Sequence, residues 1–332
     1  MKIITKYEEI DKTQWGELIQ TSRTATWFQT AEAYEFYASL PELFMPFAVA
    51  VENETLRGII VGYVTKEKNA LKQFATRRAI IIGGPLLADD IQVEELRALL
   101  MATTDLVGKQ AIYIETRNFN DYSTWRPVFE QCGWKYEEHL NFQVDCQNLE
   151  QVHASMSESR LRQIKKASKN GVIIEEAKTI DEVHEYFTIL QHLYKTKVKT
   201  PLFPFEFFKT FYEKGYGKYL LVKNEKEILG GIMCPILDNR IIYEWFVCGK
   251  DQEYKALYPS VMATYAAIKY ATDNHIAMFD FMGAGTSKEA YGVRDFKARF
   301  GGKEVEHGRF IKLCEPILYI IGKIGVKILK KL

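Results

Sequence analysis

Residues 303–310, KEVEHGRF, repeat residues 135–142, KYEEHLNF: Lys135, Glu138, His139 and Phe142 recur as Lys303, Glu306, His307 and Phe310. A second pair lies upstream in the same order, VENETLRGII at 51–60 and VKNEKEILGGIM at 222–233, with one inserted residue. Each histidine motif follows a helical stretch with a phenylalanine (Phe129, Phe296) and a glycine break. Matches in one order at nearly one offset indicate two copies of a single α/β fold. The expected division is a first domain over 1–150, a second over 151–314, and a basic amphipathic helix over 315–332. Recurring at matched strand positions, His139 and His307 read as structural residues rather than a catalytic pair.

The residues just before the second motif carry the chemistry. Phe279-Asp280-Phe281 alternates like a strand end, and the glycines of Gly283-Ala284-Gly285 permit a tight turn or a close approach to a ligand. Thr286 or Ser287 is placed to cap a helix whose Val293, Phe296 and Phe300 form an apolar stripe. Gly301-Gly302 stops it, and Val305 to Leu313 reads as a strand. Lys297 stands at the stripe's edge. A lone lysine there is ordinarily a solvated surface residue, but the flanking glycine turns favour a cleft.

The remaining elements follow by pattern. Residues 8–40 read as helical and 47–64 as two strands joined at Glu52-Asn53-Glu54. Residues 79–87 read as a buried strand broken by Gly83-Gly84-Pro85. Then come a helix over 94–107, a strand over 111–115, a helix over 122–132 and a strand over 134–144. That order implies mixed sheets flanked by helices, an α/β (α+β) class.

The 332-residue length makes two domains the default, and 47% hydrophobic with 26% charged residues describes an ordinary globular chain. A net charge of +1 supplies no global basic field, so a polyanion would need a local patch. The five cysteines never form CxxC, which argues against a zinc site or disulfide framework and for a reducing compartment. No signal peptide is visible at the start, and no apolar run of about 18 residues occurs, so a cytoplasmic protein is expected. No phosphate-loop, dinucleotide or nucleophile-elbow motif appears, nor a histidine pattern for a metal.

One local patch does exist. Arg162, Lys165, Lys166 and Lys169 recur every three or four residues on one helical face that Gly171 ends. Such a face is either simply solvated or suited to the phosphates of a nucleotide or RNA. Beyond it, LYKTKVKTPLFPFEFF at 193–208 interleaves Lys195, Lys197 and Lys199 with aromatics, as a ligand-facing loop would.

RQIKKASKNGV at 162–172, IIYEWFVCG at 241–249, LYPS at 257–260 and FDFMGAG followed by GVRDFKARFGG resemble motifs of the Fem-type peptidyl transferases. WFQT at 27–30 and GGPLL at 83–87 are weaker echoes, so the resemblance spans nearly the whole chain. It implies two tandem GNAT-like (acyl-CoA N-acyltransferase-like) domains. It also implies transfer of an amino acid from aminoacyl-tRNA to the stem-peptide amine of a peptidoglycan precursor, UDP-MurNAc-linked or lipid-linked, with no cofactor. By resemblance Lys297 would stabilise the oxyanion, with Phe296 beside it. Tyr243 and Tyr258 would contact substrate, Lys195 or Lys197 the precursor phosphates, and Arg162, Lys165, Lys166 and Lys169 the tRNA. The long coiled-coil arm of some members is absent, pointing to the shorter, FemX-like form. Where a phosphate-contacting lysine would follow WFQT, this chain has Phe36 and Tyr37.

Two alternatives stand beside this reading. One is an acyl-CoA N-acyltransferase acting on a cell-envelope amine, although GKDQEYKALYPS lacks the Gly-x-Gly expected of a pyrophosphate cradle. The other is a non-catalytic envelope protein that keeps the fold. Finally, Lys323, Lys327, Lys330 and Lys331 fall beside an isoleucine stripe in the last helix, as in a helix lying on the inner membrane leaflet.

Overall fold

The computed structural model describes residues 1–66, 76–288 and 292–329, with side chains described as far as residue 322. It divides into two compact units, Met1–His139 with Glu306–Leu332, and Leu140–Val305.

The first unit is built on one sheet. Its strands are β1 (Lys2–Ile4), β2 (Phe44–Asn53), β3 (Thr55–Thr65), β4 (Ala79–Gly83), β5 (Leu86–Leu87), β6 (Tyr113–Asn118) and β7 (Lys135–Glu137). The strand Arg309–Leu313 joins them from the far end of the sequence and lies between β6 and β7. The order is β1-β2-β3-β4-β6-(Arg309–Leu313)-β7, with β5 on β3. Val49, Ile59, Ile60 and Ile81 are fully enclosed, and Leu96, Leu99 and Leu100 of the helix Val93–Val107 are buried with them.

The second unit repeats the plan with β8 (Leu140–Asp145), β9 (Ile173–Glu176), β10 (Gly217–Lys223), β11 (Ile228–Leu237), β12 (Ile241–Tyr243), β13 (Phe246–Gly249), β14 (Met278–Asp280) and β15 (Lys303–Glu306). Its order is β15-β8-β14-β12-β11-β10-β9, with β13 on β11. The helix Pro259–Asp273 packs on this sheet through Ala263, Ala266, Ala267 and Ala271, whose small side chains bring it close to the strands.

The repeat in the sequence is a repeat in space. VENETLRGII crosses the β2–β3 turn, where Glu54 takes φ 65°, and VKNEKEILGGIM crosses the β10–β11 turn. The histidine motifs mark where the chain leaves one sheet for the other. Trp134–Val144 and Val305–Leu313, each expected as one strand, are two strands each, with His139 and Gly308 in the gaps. In each copy the last strand enters the other copy's sheet: β8 pairs β14, and Arg309–Leu313, which is β16, pairs β6 and β7. Sequence reading places the divisions at 150/151 and 314/315. Strand pairing instead moves residues 140–150 into the second unit and residues 306–332 into the first.

Candidate functional site

The second unit brings its ionisable residues to the carboxyl ends of β12 and β14. Glu244 follows β12 directly, and its backbone N–H donates to the Asp280 carbonyl at 2.9 Å. Its carboxylate, 3% exposed, meets the Lys297 ammonium at 3.1 Å and accepts from Thr264 Oγ1 at 3.0 Å. Lys297, its side chain 11% exposed, also donates to the carbonyls of Phe281 (2.7 Å) and Gly283 (2.9 Å). An ammonium carries three donors, and these three acceptors account for them. The lysine thus pins the Phe281–Gly283 turn, in which Met282 has φ 57° and Gly283 φ 129°.

Asp280 lies beneath that turn and is fully buried. Asn141 Nδ2 donates to both its oxygens (2.8 and 2.9 Å), Gln143 Nε2 to one (2.9 Å) and the Met282 N–H to the other (2.6 Å). Burial drives its carboxyl above the ordinary range, while these donors and the Lys297 charge draw it back. Asn141 Oδ1 also accepts from the Gly283 N–H at 2.8 Å, so one side chain fixes both acid and turn.

Behind Lys297 the helix Gly292–Ala298 ends at Gly301 and Gly302, both left-handed at φ 79° and 89°. A Cβ on Gly301 would strike Ser155, so glycine is required there sterically as well as conformationally. The expected stripe is only partly realised: Phe300 is buried and Phe296 half-buried, but Val293 is 43% exposed. The short helix has too few turns to bury a third position. Thr286 and Ser287 lie outside the helix, which begins at Gly292, and residues 289–291 lie outside the described residues.

The other expected site residues are scattered. Tyr243 is enclosed at 0% exposure next to Glu244. Tyr258 takes φ 50° just before the helix Pro259–Asp273, and the Lys166 ammonium lies 5.9 Å from its ring centre. Arg162, Lys165, Lys166 and Lys169 are exposed on the helix Glu158–Lys169. Lys195 and Lys197 are exposed on the π-helical turn Tyr194–Val198, with Lys195 donating to Gln191.

Glu244, Asn141 and Arg160 did not stand out in the sequence. A lone acid within the apolar run IIYEWFV was the available signal for Glu244, since a buried charge needs a partner. Arg160 faces away from its basic neighbours: it is 2% exposed and lies 4.5 and 4.2 Å from the ring centres of Phe296 and Phe300. Nearby, the Asp251 carboxylate accepts from both the N–H and the hydroxyl of Ser260, capping the helix Pro259–Asp273. An anion therefore already occupies the helix start at which an acyl-CoA pyrophosphate would be cradled.

Residues 223–325 match the model of the FemAB family. Over that segment the chain is similar to the FemAB family. The crystal structure of FemX aligns with 97% of the chain and 99% of its own length, at 14% identity and a TM-score of 0.73. L-PGS from Bacillus licheniformis aligns over 94% and 96% (11% identity, TM-score 0.57). A tandem GNAT protein from the clavulanic acid biosynthesis pathway aligns over 94% and 98% (8% identity, TM-score 0.57). At these identities the likeness is one of fold, a tandem GNAT-like one. No curated protein sequence matches it. Among the described residues no helix is long and apolar enough to cross a membrane, and no cluster of metal-ligating side chains occurs.

Proposed function

We propose that this protein is a FemX-like aminoacyltransferase of the Fem family. It moves an amino acid from aminoacyl-tRNA to the stem-peptide amine of a nucleotide- or lipid-linked peptidoglycan precursor. The observation that carries this reading is the buried, charge-balanced Lys297 within the FemAB-matching segment, at the carboxyl ends of β12 and β14.

The reaction needs no cofactor. The acceptor amine attacks the ester carbonyl, the C–N bond forms, and the carbonyl oxygen takes up negative charge. The tRNA hydroxyl then leaves as the carbonyl re-forms, and the proton lost by the amine balances the one the hydroxyl gains. An oxyanion is a stronger acceptor than a peptide carbonyl. Lys297 would exchange one of its two backbone acceptors for it only as that charge develops, which makes the contact selective for the transition state. Glu244 keeps the ammonium aimed throughout. The exposed face of Arg162, Lys165, Lys166 and Lys169 would hold tRNA phosphates, and Lys195 or Lys197 those of the precursor.

Asp251 at the helix start weighs against the acyl-CoA alternative. The C-terminal helix Pro316–Leu329 supports contact with a lipid surface. Tyr319 packs on Tyr113 at 5.1 Å between ring centres, whereas Ile317, Ile320 and Ile321 are 76%, 58% and 59% exposed. The side chains of Ile324, Ile328, Lys323, Lys327, Lys330 and Lys331 lie outside the described residues.

The test is the precursor muropeptide profile of a host with and without the gene, paired with a thermal-shift titration with acetyl-CoA. Loss of one amino-acid addition without acetyl-CoA stabilisation supports the reading. An unchanged profile, or saturable stabilisation by acetyl-CoA, contradicts it.

A further inference from the structure

We propose that Asn141 is a positioning residue for the transfer, holding the turn from which Lys297 reaches the developing oxyanion. The inference rests on the aminoacyl-transfer reading of Lys297 and adds the residue that sets where its ammonium sits.

The carboxamide of Asn141, on β8 and 3% exposed, has no hydrogen-bonding capacity left over. Its Nδ2 directs both N–H groups at the Asp280 carboxylate, at 2.8 and 2.9 Å. Its Oδ1 accepts from the Gly283 N–H at 2.8 Å and from the Phe142 N–H at 2.9 Å. Two donors and two lone pairs are all that a carboxamide carries, so its two ends cannot exchange places here. An aspartate would offer Asp280 no donor, and a serine only one.

Lys297 is held by two carbonyls, and each belongs to a planar peptide whose N–H is gripped from the opposite side. The Phe281 carbonyl shares its peptide with the Met282 N–H, which donates to Asp280 at 2.6 Å. The Gly283 carbonyl shares its peptide with the Ala284 N–H, which donates to the Leu140 carbonyl at 2.6 Å. The peptide between them ends in the Gly283 N–H, bound by Asn141 itself. Asn141 and its neighbour Leu140 thus orient three successive peptides, across a turn where Met282 is held left-handed at φ 57°. When Lys297 gives up one carbonyl for the oxyanion, the turn loses a contact on the lysine's side. Asn141 retains the turn from the β8 side, so the ammonium stays aimed without its full set of backbone partners.

The first arm of the test needs no transfer. Acetic anhydride labelling, read by mass spectrometry, follows the Lys297 amine in the wild type, Asn141→Ala and the exchange Asn141→Asp/Asp280→Asn. Lys223, its side chain 14% exposed and paired with Glu175 and Glu182, reports any global unfolding. The expected result for Asn141→Ala is roughly tenfold faster labelling of Lys297, the weight of one lost hydrogen bond, with Lys223 unchanged. The exchange keeps an amide against a carboxylate and should return Lys297 most of the way to the wild-type rate. Unchanged Lys297 labelling in Asn141→Ala, or a rise shared with Lys223, would overturn the proposal.

The second arm places Asn141→Ala in Glu244→Gln and in Lys297→Met/Glu244→Gln, and measures single-turnover transfer at saturating substrates. Displacing a reacting group by about an ångström costs on the order of 100-fold, so a loss of that size is expected in the first background, with substrate affinities unchanged. No further loss is expected in the second, because Asn141 acts through Lys297. An equal loss in both backgrounds would make Asn141 a purely structural residue and overturn its positioning role. Faster Lys297 labelling in Asn141→Ala, where the wild type transfers no amino acid, would uphold the grip on the turn and refute the transferase reading instead.

Discussion

The Lys297 ammonium and the Glu244 carboxylate lie 3.1 Å apart with side-chain exposures of 11% and 3%, so the lysine at the candidate site is half of a buried ion pair. Removing one partner of such a pair leaves the other charge enclosed and unanswered, typically at about 3–5 kcal/mol. Lys297→Met should therefore lose much of its stability, and Lys297→Met/Glu244→Gln should recover most of it. Urea denaturation of the four proteins in this cycle decides the matter. Wild-type stability in Lys297→Met would show that the pair is not closed in solution.

The first unit holds an acid at the equivalent strand position. Glu115 lies opposite Ile311, as Asp280 lies opposite Gln143. Arg309 Nη1 donates to Glu115 at 2.6 Å, and Arg117 Nη2 to its other oxygen at 3.4 Å. Burial alone would raise the Glu115 carboxyl, but the two guanidiniums outweigh it and hold it below the ordinary range. A depressed folded value means stability that is present above the unfolded value of about 4.3 and lost as pH falls through the folded value. Glu115→Gln should lower stability at pH 7 and flatten the acid limb of a denaturation-midpoint profile below about pH 4.3. An acid limb as steep as the wild type's would place the titration elsewhere.

Gly301 carries a steric prediction. At φ 79° against Ser155, an added methyl meets both backbone strain and a clash. Gly301→Ala should cost on the order of 1–3 kcal/mol, seen as a lower melting temperature. A melting temperature within a degree or so of the wild type's would mean that the turn relaxes freely.

Much of this architecture was legible in the sequence because it is repeated there. The paired motifs around His139 and His307 gave two copies, and Gly83-Gly84-Pro85 and Gly301-Gly302 marked real breaks. What the motifs could not show is that each final strand leaves its own copy, since alternation predicts a strand but not its neighbour. The site was legible only in part for a related reason. Lys297 stood out by the glycine turns beside it, but Glu244 lies 53 positions earlier in the chain and Asn141 lies 156 earlier. Such long-range pairing leaves no local pattern. Arg160 stands two positions before a basic run whose members face solvent, and only the fold shows that it is buried.

The exposed isoleucines of the last helix predict a surface activity. Ile320→Asp/Ile321→Asp leaves the Tyr319–Tyr113 contact in place, so the fold should persist while flotation with phosphatidylglycerol vesicles falls. Equal flotation of the double variant, the wild type and a chain ending at Cys314 would refute the lipid contact.

The central claim is that Lys297 stabilises charge that exists only during aminoacyl transfer. Its most direct test is single-turnover transfer from labelled aminoacyl-tRNA to the precursor amine, with tRNA and precursor affinities measured alongside. Glu244→Gln is compared with Lys297→Met/Glu244→Gln, so that lost pairing is common to both. The account predicts that removing Lys297 from this background lowers the transfer rate by roughly 100- to 1,000-fold while both affinities stay nearly constant. Equal transfer rates in the two proteins, or a loss confined to precursor affinity, would contradict it.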